Sequence, residues 1–575
     1  MKYKNMLIKN FLTLHIILLF ISVKCIENEI TNNKEKKIKR MLVFMFPGGK
    51  THNYVLQNLF DYSLSHEDKY KYEYHILSHK VDEKVWLNKV KENPSSYKLY
   101  AYGDVVEYKK LFEEGIEDMN DNPTSGYSGF NRAILLNIKQ FLESDILKEL
   151  KNKQKEYNEK YNEDYFHMVT TDTPNFIHKL LHQELNIKLS LYLVPALIPQ
   201  IFYSNFEMNP SYFPTIGSTF TDEMTFIERF QNSFIQNLMQ IIFHFFKMYQ
   251  SQLINSYNYD IDNNAHIIDS FHMFQYPLGL SFPFSIPPNW VLLNSITSKP
   301  SQKINDKSID SFLNKYKKNI YFSSGTIMKA FLSLNDYVEL FKYLKGKNIG
   351  VILSVRQEQM NDNEIKLLPD NVYASRWLDQ NNLLGDNRIN LFVTHGGYNS
   401  VLESVYHGKP MVVLGIGLDH YNVASFIKKR KIGEVFQRKN SINKDAIINS
   451  IENVLNDKEY SDNAIQIGKI MKDLKDPREE FKYWIDFGYN NGFSSLYIPS
   501  YKFKFSWIIV NGYDVALVWL FILLIIILII KKIIDCIHKN LIEFIMFISL
   551  MLIFTLSTQA IMNAIYNFFN YKNDY

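Results

Sequence analysis

The amino-acid sequence predicts an α/β protein with two doubly wound, Rossmann-like domains that face a cleft, followed by one or two C-terminal transmembrane helices. Three observations lead to this prediction. Two series of short apolar strands alternate with helical patterns, as in parallel sheets covered by helices. A cluster of prolines and polar residues separates the two series. A continuous apolar run near the C-terminus is long enough to cross a bilayer.

The composition excludes several classes of protein. The chain has 575 residues, which is room for about two to four domains and one large core. It has 64 Lys and Arg against 60 Asp and Glu, a formal net charge of +4, so we predict no nucleic-acid partner. Its 38 Tyr and 42 Phe exclude a disordered chain. The two cysteines, Cys25 and Cys536, offer the body no disulfide or cysteine-based metal site.

Residues 1–25 have the pattern of a secretory signal peptide. The first ten residues contain three lysines and precede the apolar run from Phe11 to Val23. Val23-Lys24-Cys25 is an acceptable cleavage site. An uncleaved signal anchor is the alternative, although the run is too short to cross a membrane comfortably. Both alternatives send the body into the secretory pathway. The Lys-rich residues 32–40 that follow are predicted to be a solvated linker.

The first α/β domain is predicted for residues 41–298. It opens with the apolar strand MLVFMF at Met41, the turn Pro47-Gly48-Gly49-Lys50 and a periodic helix over residues 51–65, and a second strand is expected over residues 74–77. This order of strand, turn, helix and strand is the βαβ opening of an α/β sheet.

The second α/β domain is predicted for residues 299–480, followed by a C-terminal return segment over residues 481–512. A cluster of prolines that includes Pro288 and Pro300, and the polar segment after it, mark the boundary. In sheets of this kind, ligands bind outside the carboxyl ends of the strands. Four apolar segments predict strands of this domain, near Ile320 and over residues 350–354, 391–394 and 411–414.

Two apolar segments follow. Residues 515–530 are continuously apolar and end at Lys531-Lys532, so we predict a transmembrane helix over residues 513–534. For residues 541–562 the alternatives are a second transmembrane helix, which we favour, and an interfacial helix. The positive-inside rule places the lysines between the segments in the cytosol. With a signal peptide at the front, the body is therefore expected in the lumen of the secretory pathway, in the endoplasmic reticulum.

A glycine-rich turn between a strand and a helix is the most informative motif. The apolar strand 390–393 runs into Thr394-His395-Gly396-Gly397-Tyr398-Asn399-Ser400 and a helix through Glu403. Glycine lets the backbone approach a ligand, and the N–H groups at the start of the helix make an anion site suited to phosphate. By itself the motif is ambiguous, because many α/β folds use it for turn geometry only.

The wider order of residues resembles one family. WLDQNNLL from Trp377, THGGYNSVLESVYHGKPMVVLG from Thr394 and the run Asp419-His420-Tyr421-Asn422 together resemble the signature of the UDP-glycosyltransferases. NIYFSSGT, NPSYFPTIGSTFTDEMTFIERF and DPREEFKYWIDFGY resemble the donor domain, the acceptor domain and the C-terminal region of the animal-type, membrane-anchored branch. The resemblance covers nearly the whole mature chain. It implies the GT-B fold, with an N-terminal acceptor-binding domain and a C-terminal UDP-sugar-binding domain.

The resemblance also implies the residues of a donor site. Trp377 would stack on the uracil, which is worth ~1–3 kcal/mol, Gln380 would line the nucleotide pocket, and Glu403 would accept hydrogen bonds from the ribose hydroxyls. Two alternatives stay open, namely that Trp377 is a core aromatic residue and that Thr326 only satisfies its own turn. The implied ligands of the diphosphate are Thr326, His395, Gly397, Asn399 and Ser400, and those of the sugar are Asp419 and His420.

Two residues of the first domain match the family's catalytic positions. His52 begins the helix after the Pro-Gly-Gly turn, and Asp172 follows the strand-like segment FHMVTT. The resemblance implies that His52 deprotonates the acceptor hydroxyl, while Asp172 orients the imidazole and stabilises its charged form. Without the resemblance, a His at a helix start is more often a cap or surface residue, and an Asp before a helix is usually an N-cap.

The implied reaction is an inverting transfer of a hexosyl group from a UDP-sugar to a hydroxyl of a lipophilic small molecule or lipid, such as a ceramide-like lipid. No metal or other cofactor is expected, because the sequence has no DxD motif beside a strand and no His and carboxylate cluster at metal spacing. The expected partners are the UDP-sugar, the acceptor and the membrane, and a homo-oligomer is left open. A catalytically silent relative that binds nucleotide sugar or a partner protein is the alternative function.

The sequence departs from the family pattern at four places, and only the departure at His420 bears on the chemistry. Asp379 stands where the family often has Pro, and His420 stands where it commonly has Gln. His420 lies in an Asp-His-Tyr run, which resembles the ceramide galactosyltransferase branch. This residue favours UDP-galactose over UDP-glucose and leaves glucuronic acid and N-acetylglucosamine open.

Overall fold

The structure is a computed structural model, and the chain divides in it into two compact units, Met1–Ile498 and Pro499–Tyr575. The signal-peptide prediction for residues 1–25 and the prediction for Thr326 concern residues outside the described ranges. The structure describes residues 36–121, 126–172, 176–194, 209–261, 270–286, 288–325, 332–357, 359–415, 419–436, 442–493, 509, 512–539 and 541–570.

Two parallel sheets form the framework of the first unit, as the sequence predicts. The strands of the first sheet are β1 (Lys37–Phe44), β2 (Tyr70–His79), β3 (Tyr97–Tyr102), β4 (Met168–Thr171), β5 (Leu189–Val194), β6 (Ser270–Gln275) and β7 (Trp290–Leu293). Those of the second sheet are β8 (Lys318–Ser323), β9 (Ile349–Ser354), β10 (Val372–Ser375), β11 (Ile389–Thr394), β12 (Met411–Leu414) and β13 (Gly433–Phe436).

Helices lie between the strands and after them. Those of the first series are α1 (Lys50–Ser65), α2 (Glu83–Glu92), α3 (Val105–Asp121), α4 (Gly126–Leu142), α5 (Ile146–Tyr161), α6 (Phe176–Glu184) and α7 (Phe226–Asn255). Those of the second series are α8 (Lys307–Leu313), α9 (Leu334–Gly346), α10 (Asp362–Ile365), α11 (Gln380–Gly385), α12 (Tyr398–Tyr406), α13 (His420–Lys429), α14 (Lys444–Asn456), α15 (Lys458–Asp473) and α16 (Pro477–Asn491). The second unit contains α17 (Tyr513–Lys539) and α18 (Leu541–Asn570).

The strand order reverses once in each sheet. The first sheet has the order β3-β2-β1-β4-β5-β6-β7 and the second has the order β10-β9-β8-β11-β12-β13, within the described residues. In the first sheet, β2 and β3 lie on one side of β1 and β4 lies on its other side. In the second sheet, β9 and β10 lie on one side of β8 and β11 lies on its other side. At such a point the helices on the two sides diverge and leave a crevice at the carboxyl ends of the strands, where ligands bind.

The apolar strand at the start of the body begins earlier than the sequence predicts. β1 starts at Lys37, so the prediction of a solvated linker is wrong for residues 37–40. The reason lies in the partners of Arg40, which sequence pattern does not reveal. Its Nε atom lies 3.0 Å from a carboxylate oxygen of Glu73 on β2, and its guanidinium lies 4.3 Å from the ring centre of Tyr165. A charge with such partners can be buried in a strand.

The last helix of the second series packs against the first domain. Phe481 and Ile485 of α16 are buried in one apolar cluster with Met41 of β1 and Phe271 of β6. Lys482 adds an ion pair to Asp68, with 3.0 Å between nitrogen and oxygen. The chain thus crosses back to the first domain before it enters the second unit, and this crossing ties the two domains together.

The second unit contains two helices that are long and apolar enough to cross a membrane. Tyr513–Asp535 has a mean hydropathy of 3.0 and Ile545–Asn567 has one of 2.0. Both segments exceed the roughly 20 residues that a bilayer core requires. Their length and composition suggest a membrane protein.

Candidate active site

The strand reversal of the first sheet brings two predicted catalytic residues together. His52 lies in the first turn of α1, just beyond the carboxyl end of β1, and Asp172 directly follows β4. Since β1 and β4 are paired neighbours, the two side chains meet. His52 Nδ1 lies 2.8 Å from Asp172 Oδ2. The other oxygen of Asp172 accepts the backbone N–H of Phe46 at 2.9 Å.

The geometry of this pair suits a general base. The Asp172 side chain is fully buried and the His52 side chain is 23% exposed. A carboxylate at Nδ1 favours the tautomer with its proton there, which leaves Nε2 as the nitrogen that can accept a proton from a ligand. Both oxygens of Asp172 accept hydrogen bonds from the turn after β1 and from α1, and this favours the role of histidine partner over that of an N-cap.

The sequence did not reveal Asp82, which holds the turn that carries His52. Asp82 lies just after β2, the other neighbour of β1, and its carboxylate accepts the backbone N–H of Gly48 at 2.7 Å. Burial raises the pKa of Asp82 above its usual value. The hydroxyl of Tyr108 donates to the carbonyl of Pro47 at 3.0 Å from the opposite side. The only available signal was the position of Asp82 at the end of a strand.

In the second sheet, the ring of His395 lies between two glycines. A Cβ atom on Gly325 would lie 2.3 Å from Cε1 of His395, and one on Gly397 would lie 2.4 Å from its Nε2. Both positions therefore have to be glycine for the ring to occupy this place. Burial lowers the pKa of His395 to about 3, so at neutral pH the ring can donate one N–H to a phosphate but carries no charge.

The N-terminus of the helix after this turn has the features of an anion-binding site. Gly397 is the N-cap of α12 and provides no side-chain cap, so the first N–H groups of the helix stay free of a capping side chain. The side-chain oxygen of Asn399 accepts a hydrogen bond from Nε2 of Gln275 at 2.6 Å, which leaves the amide N–H₂ of Asn399 as a donor. Gln275 ends β6 of the first domain, and sequence reasoning missed it.

Three predicted nucleotide ligands meet beside this turn. Nε2 of Gln380 donates to Glu403 at 2.8 Å and lies 3.1 Å from Oγ of Ser400. The hydroxyl of Tyr321, on β8, lies 3.3 Å from Oε1 of Gln380. Burial raises the pKa of Glu403 to about 7, and the hydrogen bond from Gln380 opposes this shift. Glu403 is therefore a buried acceptor that changes charge near neutral pH.

The structure excludes one of the two alternatives for Trp377. Its side chain is 77% exposed, so it is not a core aromatic residue. It lies between β10 and α11, where its ring is open to a stacking partner. Asp379 accepts the backbone N–H of Asn382 at 3.1 Å and caps α11. An N-cap is thus the local role of the aspartate that stands in the place of the family's proline.

One of the two predicted sugar ligands, His420, lies beside His395. Asp419 is the N-cap and His420 the first residue of α13, and the rings of His395 and His420 meet edge to face with 5.4 Å between their centres. Nδ1 of His420 is buried without a hydrogen-bond partner among the described residues, and burial lowers the pKa of the ring. An unpaired buried nitrogen is costly unless a ligand satisfies it.

One further residue of α13 forms hydrogen bonds with the first domain. The side chain of Asn422 accepts the backbone N–H of Gly217 at 2.8 Å and donates to the carbonyl of Thr215 at 3.1 Å. Sequence analysis did not single out Asn422 as a contact between domains. Among the described residues, no group of three or more His, Cys, Asp or Glu could hold a metal ion.

Comparison with known proteins gives a consistent result. Residues 83–545 match the family model described as UDP-glucoronosyl and UDP-glucosyl transferase, a range that begins after His52. The chain is 26% identical over 289 residues to UDP-glucosyltransferase 2 of Dactylopius coccus, with 48% of this chain and 54% of the relative covered. It is also 26% identical over 290 residues to 2-hydroxyacylsphingosine 1-beta-galactosyltransferase of Rattus norvegicus, with 48% and 51% covered.

These matches set the limits of the comparison. The chain spans about half the length of the curated relatives it matches. A solved structure of a UDP-glucose: anthocyanidin 3-O-glucosyltransferase in complex with UDP superposes with a TM-score of 0.51 at 15% identity, covering 80% of this chain and 100% of that one. This structure supports the fold alone. Because the family model matches well over half of the chain, the protein belongs to the UDP-glucoronosyl and UDP-glucosyl transferase family and has the GT-B fold.

Proposed function

We propose that the protein is an inverting UDP-glycosyltransferase that transfers a hexosyl group from a UDP-sugar to a hydroxyl of a lipophilic acceptor. The observation that carries this proposal is the 2.8 Å contact between Nδ1 of His52 and the buried carboxylate of Asp172. It supports an active enzyme over a silent relative, because a binding protein needs no buried carboxylate to orient a partly exposed imidazole.

The proposed reaction uses the groups described above. Nε2 of His52 takes the proton of the acceptor hydroxyl, and Asp172 stabilises the imidazolium that forms. The hydroxyl oxygen forms a bond to the anomeric carbon as the bond from that carbon to the UDP oxygen breaks on the opposite face. The uncapped N–H groups at the start of α12 stabilise the negative charge of the leaving diphosphate, with the neutral ring of His395 as a further donor.

Release of UDP tests this function directly. Purified full-length protein in lipid vesicles is mixed with UDP-galactose or UDP-glucose and a panel of lipophilic alcohols and ceramide-like lipids, and both UDP and glycoside are measured. We expect equimolar UDP and glycoside, with inverted configuration at the anomeric carbon. Binding of UDP without turnover of any acceptor would favour a silent relative, and retained configuration would contradict the mechanism.

The residue at position 420 should select the sugar, and we propose UDP-galactose as the preferred donor. A histidine presents one ring nitrogen on each side of a rigid plane, whereas glutamine carries a donor pair and an acceptor on a flexible stem. The edge-to-face contact with His395 fixes the ring of His420. A buried polar site rejects a sugar whose hydroxyl leaves its groups unpaired.

We therefore expect His420→Gln to raise the ratio of kcat/KM for UDP-glucose to that for UDP-galactose. The measurement is competition between the two donors at one acceptor concentration. His407→Gln is the matched control, because His407 also lies at a helix terminus of the second domain, where its ring contacts Asn381. An unchanged ratio in His420→Gln would show that this residue does not select the donor.

We also propose that the body lies in the lumen of the endoplasmic reticulum. Support comes from the signal-like N-terminus, the two apolar helices and the lysines between them. Protease added to sealed microsomes is expected to spare the body up to about Tyr513 and to digest it once detergent is added. A tag after Tyr575 reports the number of spans, because two spans protect it and one exposes it. Digestion of the body without detergent would contradict this orientation.

A further inference from the structure

One hydrogen bond joins a buried residue of the first domain to a predicted ligand of the diphosphate. Gln275 is the last residue of β6, where it pairs with Leu293 of β7, and its side chain is fully buried. Its Nε2 donates to Oδ1 of Asn399, in the first turn of α12, with 2.6 Å between the two atoms. The bond therefore links the carboxyl end of the first sheet to the helix that begins the predicted phosphate site.

A backbone group fixes the direction of this bond. Oε1 of Gln275 accepts the backbone N–H of Ile296 at 2.8 Å, and Ile296 is itself buried. A backbone N–H can only donate, so the carboxamide of Gln275 presents its oxygen to Ile296 and its N–H₂ to Asn399. The opposite orientation would place two donors face to face and deprive a buried N–H of this acceptor, which is costly.

The orientation of Gln275 in turn determines that of Asn399. Because Gln275 presents a donor, Asn399 presents its oxygen, and its own N–H₂ lies on the side away from Gln275. Gly397, the N-cap of α12, supplies no side-chain cap. The N–H₂ of Asn399 thus adds a donor to the backbone N–H groups at the start of the helix. In the reversed orientation its oxygen would take that place, and two acceptors would face each other when a phosphate binds.

We propose that Gln275 is a positioning residue of the donor site. By donating to Asn399, it holds the amide of that residue with its N–H₂ towards the diphosphate, without contacting the ligand itself. A residue of the first domain thereby raises the affinity of the second domain for the diphosphate. This inference rests on the proposed function, which assigns Asn399 to the diphosphate.

A bond that only joined the two domains would have a different effect. Its loss would change the binding of uridine and of UDP alike, or of neither. Loss of the proposed positioning weakens only the binding of UDP, because uridine has no phosphate. The readout is therefore the Kd of uridine divided by the Kd of UDP, which we call the diphosphate preference. Both constants are measured on the same preparation, so the fraction of folded protein does not affect their ratio.

Gln275→Met tests the inference in the full-length protein in lipid vesicles. Methionine has about the same length as glutamine, but it offers no N–H donor to Asn399. Both Kd values are measured by calorimetry at a single pH. We expect the diphosphate preference to fall about 3–10-fold, the worth of one net hydrogen bond, while the Kd of uridine stays nearly unchanged. An unchanged diphosphate preference would overturn the proposal.

A double variant shows whether the effect passes through Asn399. Asn399→Ala removes the proposed donor and should lower the diphosphate preference by about 10–100-fold, as expected for a hydrogen bond to a charged group. Gln275→Met added to Asn399→Ala should cause no further loss, because no amide remains for Gln275 to orient. Additive losses would overturn the proposal, since Gln275 would then act on the diphosphate by another route.

Arg430→Met is the matched control, because Arg430 also joins the two domains. From the C-terminal end of α13 its guanidinium donates to the carbonyls of Leu280 and Ser281, in the first domain, at 3.2 and 3.3 Å. This variant should keep the diphosphate preference of the wild type. A loss equal to that in Gln275→Met would overturn the proposal, because it would follow from weaker contact between the domains in general.

Two comparisons keep the test decisive. Gln275→Leu replaces Gln275→Met if the latter fails to unfold cooperatively in detergent, and its expected result is the same. If the wild type bound uridine and UDP equally, or if Asn399→Ala kept the wild-type preference, the assignment of Asn399 in the proposed function would be wrong. A diphosphate preference that falls in Asn399→Ala but not in the variants of Gln275 would contradict this inference alone.

Discussion

Replacement of His52 by Ala is expected to leave UDP binding nearly unchanged and to lower turnover by the ~10²–10⁴-fold that general-base catalysis supplies. The imidazole contacts Asp172 in the first domain, whereas the predicted nucleotide ligands lie in the second. Removal of the ring therefore eliminates the base and leaves the donor pocket intact. The measurements are kcat with a saturating acceptor and the Kd of UDP by calorimetry.

Two further variants separate the chemistry from effects on folding. In Asp172→Asn the amide oxygen can still accept the N–H of Phe46, but the amide N–H₂ then faces Nδ1 of His52 and forces the proton onto Nε2. We expect a loss of turnover in the same direction. His66→Ala removes an exposed histidine from the other end of α1 and should have no effect. Wild-type turnover in His52→Ala would show that the assigned base is wrong.

The parts of this site that could be predicted from sequence are local. A strand, a glycine turn and a helix lie within one short stretch at Met41 and again at Leu391, so the order of residue types carries the information. The strand order then places the ends of β1 and β4 side by side, and His52 meets Asp172 although 120 residues separate them. The resemblance to a family supplied the roles of these two residues, which spacing alone left open.

The parts that could not be predicted depend on contacts between distant segments. In the sequence, Arg40 belongs to a Lys-rich stretch and is therefore predicted to lie in a solvated linker. Only the structure shows its contacts with Glu73 and Tyr165. Gln275 and Asn422 are ordinary polar residues in the sequence, and each acquires a role only because it bonds to the other domain. Polar side chains have no periodicity that would mark such contacts. The pattern of apolar residues therefore predicts the strands and helices, but it does not predict the hydrogen bonds between the two domains.

The affinity for uridine is expected to rise as the pH increases through about 7. Burial raises the pKa of Glu403 to that value, so its carboxyl is protonated below it and ionised above it. An ionised carboxylate accepts hydrogen bonds from ribose hydroxyls at both oxygens and so binds them more strongly. If only the ionised form binds, affinity falls by up to about tenfold per pH unit below the pKa.

Uridine is the appropriate ligand for this measurement, because the terminal phosphate of UDP itself titrates near pH 6. The ring of His395 does not interfere, since burial lowers its pKa to about 3, and burial also lowers the pKa of His420. The dependence should be absent in Glu403→Gln, which keeps an acceptor oxygen but cannot ionise. An equal pH dependence in this variant would assign the titration to another group.

The empty protein should show the opposite trend in stability. In the folded state Glu403 holds its proton up to about pH 7, whereas in the unfolded chain it loses the proton near its ordinary pKa of 4.5. Between these two values the folded state binds more protons, so the free energy of unfolding falls as the pH rises. Above about pH 7 both states are ionised and the contribution is constant.

The measurement compares the melting temperatures of the wild type and of Glu403→Gln, without ligand, from pH 5 to pH 8. As the pH rises to about 7, the melting temperature of the wild type should fall relative to that of the variant. Over the same pH interval, uridine should therefore bind more tightly while the protein without ligand becomes less stable. Both trends are expected if one buried carboxylate ionises and the ribose hydroxyls then donate hydrogen bonds to it.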